Sequence, residues 1–152
     1  MTTTSYRTAC ARDIPAMSAI RLGVQENRLR DPARVTQQMY FDYLDLLGRG
    51  WVCERDGAIA GFAYADRAEG SIWALFVDPA HEGAGIGKRL LALATGYLFE
   101  QGHAKVVLST GPGTRADRFY KAQGWRRSHA EGEAEAFFTL DRREQPAGID
   151  QR

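Results

Sequence analysis

Apolar residues recur along this chain with two periods, and the points where one gives way to the other predict its elements. Tyr6 to Cys10 alternates weakly and reads as a first strand. Ile14, Met17, Ile20 and Val24 then recur at helical spacing, behind Asp13 as N-cap and with Pro15 in the first turn. Asn27 to Arg30 is a polar break. Asp31-Pro32 opens a second helical region that places Val35, Met39, Tyr43 and Leu46 on one face, and Gly48 and Gly50 end it.

The pattern then shortens. Trp51 to Glu54 reads as a strand, Asp56-Gly57 is a two-residue hairpin signal, and Ile59 to Tyr64 is the return strand. After a turn at Glu69-Gly70, Ser71 to Val77 is a nearly continuous run of β-favouring apolar residues, the pattern of a central strand buried on both faces. Asp78-Pro79 stops it. The glycine-rich turn Glu82 to Gly87 leads into a helix with a stripe of Leu90, Leu91, Ala94, Tyr97 and Leu98, closed by Gly102. Gly96 inside that helix weakens the helical reading slightly, with close packing as one explanation for a glycine there. Lys105 to Ser109 is a second buried strand, and Gly111-Pro112-Gly113 breaks the chain. Thr114 and Asp117 can N-cap a helix that runs to about Gln123, before Gly124. Trp125 to Arg127, a turn near Gly132 and Ala134 to Leu140 make a final hairpin. The order predicts an α/β fold with one strand–helix–strand unit at the centre of a mixed, mostly antiparallel sheet flanked by helices.

Composition narrows the function. A chain of 152 residues suits one domain, placed at 1–140 with a polar tail at 141–152. Twenty basic and 19 acidic residues leave a formal charge of +1, which points away from nucleic acid and from an anionic membrane as partners. No apolar run is long enough to cross a bilayer, and Met1 to Ser5 is polar, so a cytoplasmic protein is expected. Cys10 and Cys53 lack C-x-x-C spacing and sit in strand-like runs; no metal site and no disulfide framework is expected from them. An exposed edge strand leaves a homodimer open.

The chemistry gathers at Glu82-Gly83-Ala84-Gly85-Ile86-Gly87-Lys88. A P-loop needs G-x-x-x-x-G-K followed by Ser or Thr, but Glu82 takes the first glycine position and Arg89 follows Lys88. A dinucleotide fingerprint needs G-x-G-x-x-G, and Lys88 takes its third glycine position. The glycines let the backbone approach a ligand without Cβ clashes, and the free N–H groups of a helix start favour an anion such as a pyrophosphate. Lys88 adds a charge near it. A tight turn that binds nothing is the alternative.

From Val77 to Leu91 the chain resembles the acetyl-CoA motif of the GCN5-related N-acetyltransferases, written Gln/Arg-x-x-Gly-x-Gly/Ala after a strand ending in Val-x-Pro. Gly85 and Gly87 match its glycines, while Glu82 stands where the family has Gln or Arg. Ala116 to Trp125 resembles a second family block, Ala-x-x-Phe-Tyr-x-x-x-Gly-Phe, with Gly113 where an Asn often precedes the helix. The resemblance covers Ile59 to Leu140 and implies a central pair of parallel strands splayed at one end. It implies acetyl-CoA as co-substrate, held by Phe76, Val77 and Glu82 to Lys88, and no metal. Tyr120 is implied as the acid that protonates the departing thiolate, against a reading as a packed aromatic.

Acetyl transfer to an amine needs a neutral nucleophile, a polarised thioester carbonyl, a protonated leaving group and alignment. Backbone N–H groups near Phe76 and Val77 are expected to hold the carbonyl. The central strand carries no Glu, so the general base is open among Glu26, His81, His103 and Glu135. Glu26, Asn27, Arg28 and Trp73 are the candidate acceptor contacts; Trp73 reads equally as core, and the other three as a polar helix terminus. The expected acceptor is a small-molecule primary amine. A non-catalytic acyl-CoA or protein-binding module of the same fold is the second reading, and a nucleotide-dependent enzyme the third.

Overall fold

The hairpin signal at Asp56-Gly57 sets the register of the first half of the molecule. Both residues take positive φ, 51° and 85°, the type I′ geometry whose twist matches the flanking strands. They join β2 (Gly48–Arg55) to β3 (Ala58–Asp66) in a computed structural model that describes residues 2–23 and 37–142. Around this hairpin lie β1 (Thr4–Thr8), β4 (Ser71–Val77), β5 (Lys105–Thr110), β6 (Arg126–Ser128) and β7 (Ala136–Asp141). They form one sheet in the order β1-β2-β3-β4-β5-β7-β6. Every neighbouring pair is antiparallel except β4 and β5.

Helices cover both faces. On one face α3 (Ile86–Glu100) lays Leu90, Leu91, Ala94, Tyr97 and Leu98 on Ile72, Val106, Leu108 and Phe138, as its stripe predicts. On the other, Ile14, Met17 and Ile20 of α1 (Ile14–Gly23) and Tyr40 of α2 (Gln37–Asp42) pack on Val52, Phe62, Tyr64 and Ala74. α4 (Arg115–Ala122) follows β5 and adds Tyr120 to the first of these cores.

A bulge interrupts β4. Tyr64 of β3 pairs with Ala74 and Ala65 with Ile72, so Trp73 is an extra residue with no partner across the ladder. The insertion resets the alternation of side chains along β4. Ile72 faces the α3 core, whereas Trp73, Ala74 and Phe76 pack on the α1 side.

Several expectations need correction. The first strand is Thr4–Thr8, because Cys10 starts a 3-10 turn at Ala11–Asp13. Asp13 does not cap α1. Its buried carboxylate turns back to the Cys10 N–H at 2.9 Å and pairs with both Arg7 amino groups at 2.8 and 2.9 Å. The second helix ends at Asp42 rather than at Gly48 and buries Tyr40, while Leu46 is exposed. Gly48 and Gly50 belong to β2. A Cβ on Gly48 would stand 1.8 Å from the Ala65 carbonyl oxygen, so glycine there permits close strand contact rather than ending a helix. Gly48→Ala is expected to cost about 1–3 kcal/mol, read as a fall in the urea midpoint. β4 is central but not buried on both faces: Ile72 and Ala74 are buried, and the rest are half-buried. A Cβ on Gly96 would meet nothing within 4 Å, so close packing does not explain that glycine. Val24, Asn27 to Arg30, Asp31-Pro32 and Val35 lie outside the described residues.

Candidate active site

β4 and β5 share a single parallel pairing, Ser71 with Val107, reinforced by the Val107 N–H donating to the Gly70 carbonyl at 3.0 Å. Beyond it they splay and open a cleft of about 600 Å³. Strand alternation divides its walls. Leu75, Leu108, Ala116 and Tyr120 belong to the α3 side, where Leu108 and Tyr120 are core and Leu75 and Ala116 pack against it. Arg21, Met39, Trp73, Ser109, Glu135 and Phe137 belong to the α1 side, alternating along β5 and β7 with the buried Leu108, Ala136 and Phe138. The cleft therefore draws its walls from both faces of the sheet.

Splaying also frees one edge of β4. The Asp78 N–H donates to the Ala60 carbonyl of β3 at 2.8 Å. N–H groups alternate along a strand, so that of Phe76 also turns to β3, and those of Leu75 and Val77 turn to the cleft edge. Phe76 lines the cleft with its side chain instead. The donors available to a carbonyl thus sit one residue to either side of Phe76.

After β4, the Asp78 side chain accepts from the Ala80 N–H at 3.0 Å and starts a 3-10 turn, Pro79–His81. Gly83 and Gly85 then take φ of 86° and 78°, a region costly for residues with a Cβ, and nothing lies within 4 Å of a Cβ at either. Gly85 is the N-cap of α3, and the Arg89 N–H closes the first turn on its carbonyl at 3.1 Å. The N–H groups of Ile86, Gly87 and Lys88 precede that bond and point along the helix axis at the positive end of its dipole. Ile86 is buried and anchors the turn, while Ala84 and Lys88 are exposed. Lys88 borders a small crevice with Leu91, Gln123 and Trp125. None of the residues from Glu82 to Lys88 lines the splayed cleft. The turn stands at the C-terminal end of β4, where a long ligand can reach both.

Glu82, the departure from the family pattern, forms an ion pair with Arg115, the first residue of α4. The pair ties the starts of α3 and α4 together and neutralises the acid beside the glycine turn. Both side chains are exposed, so the attraction is screened. Glu82→Gln is expected to tighten acetyl-CoA binding by up to about fivefold at low salt, with the gain fading as salt is added; titration calorimetry at two ionic strengths checks it.

Tyr120 is held from three sides. Its ring centroid lies 5.2 Å from Phe119, 5.9 Å from Trp125 and 5.4 Å from Phe138. Burial pushes its pKa above the usual tyrosine value, so it keeps its proton at neutral pH. The helix that carries it starts at Thr114, whose hydroxyl oxygen accepts from the Asp117 N–H at 3.2 Å. Asp117, 2% exposed, accepts from the Gly113 N–H at 2.8 Å and from two nitrogens of Arg127 at 2.8 and 2.9 Å. Those Arg127 contacts hold its carboxyl down to about 2. Gly113, where the family block has Asn, takes φ of 79°.

Of the acceptor candidates, Trp73 lines the cleft and stacks on Tyr64 with centroids 4.7 Å apart; Glu26, Asn27 and Arg28 lie outside the described residues. Among the base candidates, Glu135 lines the cleft and accepts from the Ser109 hydroxyl at 2.6 Å. His103 bonds the Arg67 carbonyl at 2.6 Å and packs against Gly70, next to the Ser71–Val107 pairing, and does not line the cleft; His81 sits on the 3-10 turn. Arg21, Ser109 and Phe137 were not singled out by sequence. Each is an ordinary position on an amphipathic element, and only the pleat shows that it faces the gap. Among the described residues no three His, Cys, Asp or Glu side chains cluster in a way that could hold a metal ion, and no helix is long and apolar enough to cross a membrane.

Comparison with known proteins agrees with this geometry. The structure of yncA from Salmonella typhimurium with its cofactor acetyl-CoA superposes with a TM-score of 0.74 at 20% identity, over 91% of this chain and 94% of that one. PaiA N-acetyltransferase from Thermoplasma acidophilum in complex with coenzyme A gives 0.75 at 12%, over 91% and 99%. The ribosomal-protein-S18-alanine N-acetyltransferase from Escherichia coli gives 0.71 at 17%, over 99% of both chains. At these identities the likeness is one of fold. A relative described as an uncharacterized N-acetyltransferase ycf52-like, from Prochlorococcus marinus, is 35% identical over 57 residues, and the match spans 38% of this chain and 31% of that protein. The model of the Acetyltransferase (GNAT) family matches residues 17–125, from α1 through α4 to Trp125, and so takes in the bulged strand, the glycine turn and Tyr120 together. This chain belongs to that family.

Proposed function

We propose that the protein transfers the acetyl group of acetyl-CoA to a primary amine of a small molecule, directly and within a ternary complex. One observation carries the reading: β4 and β5 part after a single pairing, between a glycine turn built for an anion and a buried tyrosine that keeps its proton. The same reading takes the chain as one N-acetyltransferase domain working in the cytoplasm. Acetyl-CoA supplies the thioester. The N–H groups of Gly83 to Lys88 bind its pyrophosphate, with Lys88 as added charge. The N–H groups of Leu75 and Val77 take the negative charge that develops on the carbonyl oxygen. Glu135, through water, removes the proton that the attacking nitrogen loses. As the C–N bond forms and the C–S bond breaks, the Tyr120 hydroxyl gives its proton to the sulfur and recovers one from solvent.

Acetyl-CoA binding by calorimetry and thiol release in the presence of amines test this directly. Binding without thiol release for any amine supports a non-catalytic module of the same fold; no binding at millimolar ligand removes both.

The direct route makes a further prediction. A relay through an acetyl-enzyme needs a nucleophile with a lowered pKa. Burial raises the Cys53 thiol instead, and Cys10 donates to Asp13 at 3.4 Å on the 3-10 turn before α1. Neither lines the cleft. Cys10→Ala and Cys53→Ala are each expected to keep most activity, and mass spectrometry of enzyme with acetyl-CoA alone is expected to show no stoichiometric adduct of about 42 Da. Such an adduct, competent for transfer to the amine, overturns the direct route.

A further inference from the structure

The acceptor side of the cleft carries an asymmetric set of charges. Among the described lining residues Arg21 is the one cation and Glu135 the one acid. They come from different layers: Arg21 from α1, above the sheet, and Glu135 from the residue before β7. Glu135 is already engaged by the Ser109 hydroxyl, and an amine nucleophile arriving there finds an acceptor for its protons. Arg21 forms no ion pair with any of the described residues.

A second observation concerns unspent donors beside Arg21. The Trp73 indole N–H is buried and has no hydrogen-bond partner, and the same holds for the Tyr40 hydroxyl. Tyr40 is 3% exposed, and its ring lies 5.9 Å from that of Trp73. Buried polar groups are seldom left unpaired, and each costs stability until something satisfies it. Trp73 owes its place to the bulge, which spends a residue of ladder pairing to bring this indole to the wall of the cleft. An indole N–H can only donate, a guanidinium can only donate, and a hydroxyl can do so. Arg21 and Trp73 line the same wall of the cleft and suit an anionic, acceptor-rich group, while Tyr40 packs on Trp73 and does not itself line the cleft. The positive charge of Arg21 acts on Tyr40 as well, opposing the larger effect of burial on that hydroxyl. The wall between the two charges is apolar, with Met39, Phe76 and Phe137.

We propose that the acceptor is a small α-amino acid with an apolar side chain, its carboxylate against Arg21 and the Trp73 indole N–H and its amine toward Glu135. This rests on the acetyltransferase reading and names the substrate class of that site. The carboxylate pairs with Arg21 and takes the Trp73 indole N–H, the side chain covers Met39 and Phe137, and the amine lies toward Glu135. Arg21 and Trp73 act on binding and selectivity and take no part in the proton transfers.

The test compares matched triads: leucine, methionine and phenylalanine, the amide of each, and the amine left when the carboxylate is removed. Thiol release gives kcat/KM for each at saturating acetyl-CoA. The acid is expected to exceed its amide and its amine by about 10- to 100-fold, the range for a charge-assisted contact. The amide amine is the weaker base and so offers more free nucleophile, which biases the comparison against the proposal. In Arg21→Leu the ratio of acid to amide is expected to collapse toward one, and Arg21→Lys to retain part of it. Trp73→Phe keeps the ring and loses the donor, and the ratio is expected to fall without vanishing. Calorimetry with acetyl-CoA on each variant confirms that it is folded. Amides or plain amines that match or outrun the acids overturn the amino-acid acceptor and leave the acetyltransferase reading standing. So does an acid-to-amide ratio that Arg21→Leu leaves unchanged. Acetyl-CoA binding with no thiol release from any amine overturns both.

Discussion

Tyr120→Phe is expected to lower kcat by about 10²–10⁴-fold, the usual cost of one general acid, while the Kd for acetyl-CoA barely changes. The substitution deletes one oxygen and keeps the ring, so the contacts with Phe119, Trp125 and Phe138 persist and the core around α4 is preserved. The burial that raises the Tyr120 pKa is compatible with its role as a donor. A thiolate forming in the same desolvated gap is raised for the same reason, because burial disfavours every anion there. What burial secures is a proton in place at neutral and mildly alkaline pH. Activity is thus expected to show no falling limb from this residue below about pH 10, the ordinary tyrosine value. A kcat within about twofold of the parent shows that solvent protonates the sulfur and reduces Tyr120 to a packing residue.

Asp117→Asn is expected to lower Tm by roughly 2–6 °C for a chain of this size, because the buried Asp117 loses its charged hydrogen bonds while the exposed Arg127 is free to turn to water. Asparagine keeps the shape and can still accept from Gly113, so the change isolates the charge. The pH dependence has a definite sign. Asp117 and Asp13 titrate at about 2 in the folded state, against 3.8 ordinarily, because Arg127 and Arg7 hydrogen-bond their ionised forms. Their contribution is complete above about pH 4 and is lost as pH falls from there through about 2. Asp117→Asn removes one of the two groups, so its acid-unfolding curve is expected to be shallower over that window. Equal Tm values for parent and variant at pH 7 sink the claim that this pair fastens α4.

How much of this was legible in the residues depended on whether a signal was local. The type I′ hairpin, the glycine turn and the Thr114 cap are each written within seven residues, and each stands where its spacing places it. Asp13 misled because its partner, Arg7, lies across a turn: a good N-cap residue became half of a buried ion pair instead. The bulge at Trp73 was illegible, since it depends on the register of β3 against β4 and not on the composition of either strand. Glu82 looked like a liability beside a phosphate until Arg115, 33 residues on in the sequence, was found against it. The α1-side wall of the cleft was hidden for a related reason. Arg21, Ser109 and Phe137 come from three separate parts of the chain and share only the face of the sheet they lie on.

The lone Ser71–Val107 pairing has a mechanical consequence. It divides the sheet into a four-stranded lobe, β1 to β4, and a three-stranded lobe, β5 to β7, that meet in the ladder at one point. Two plates joined at a point can rotate about it, and the distance between Val77 and Thr110 then becomes a soft coordinate, whereas the distance between Ser71 and Val107 stays stiff. A wedge driven into the open end meets restoring force from the α3 and α4 packing rather than from backbone hydrogen bonds. Ligand in the gap would thus stiffen the whole sheet, and hydrogen exchange would register it first at the outward-facing amides of β4, which have no strand to protect them.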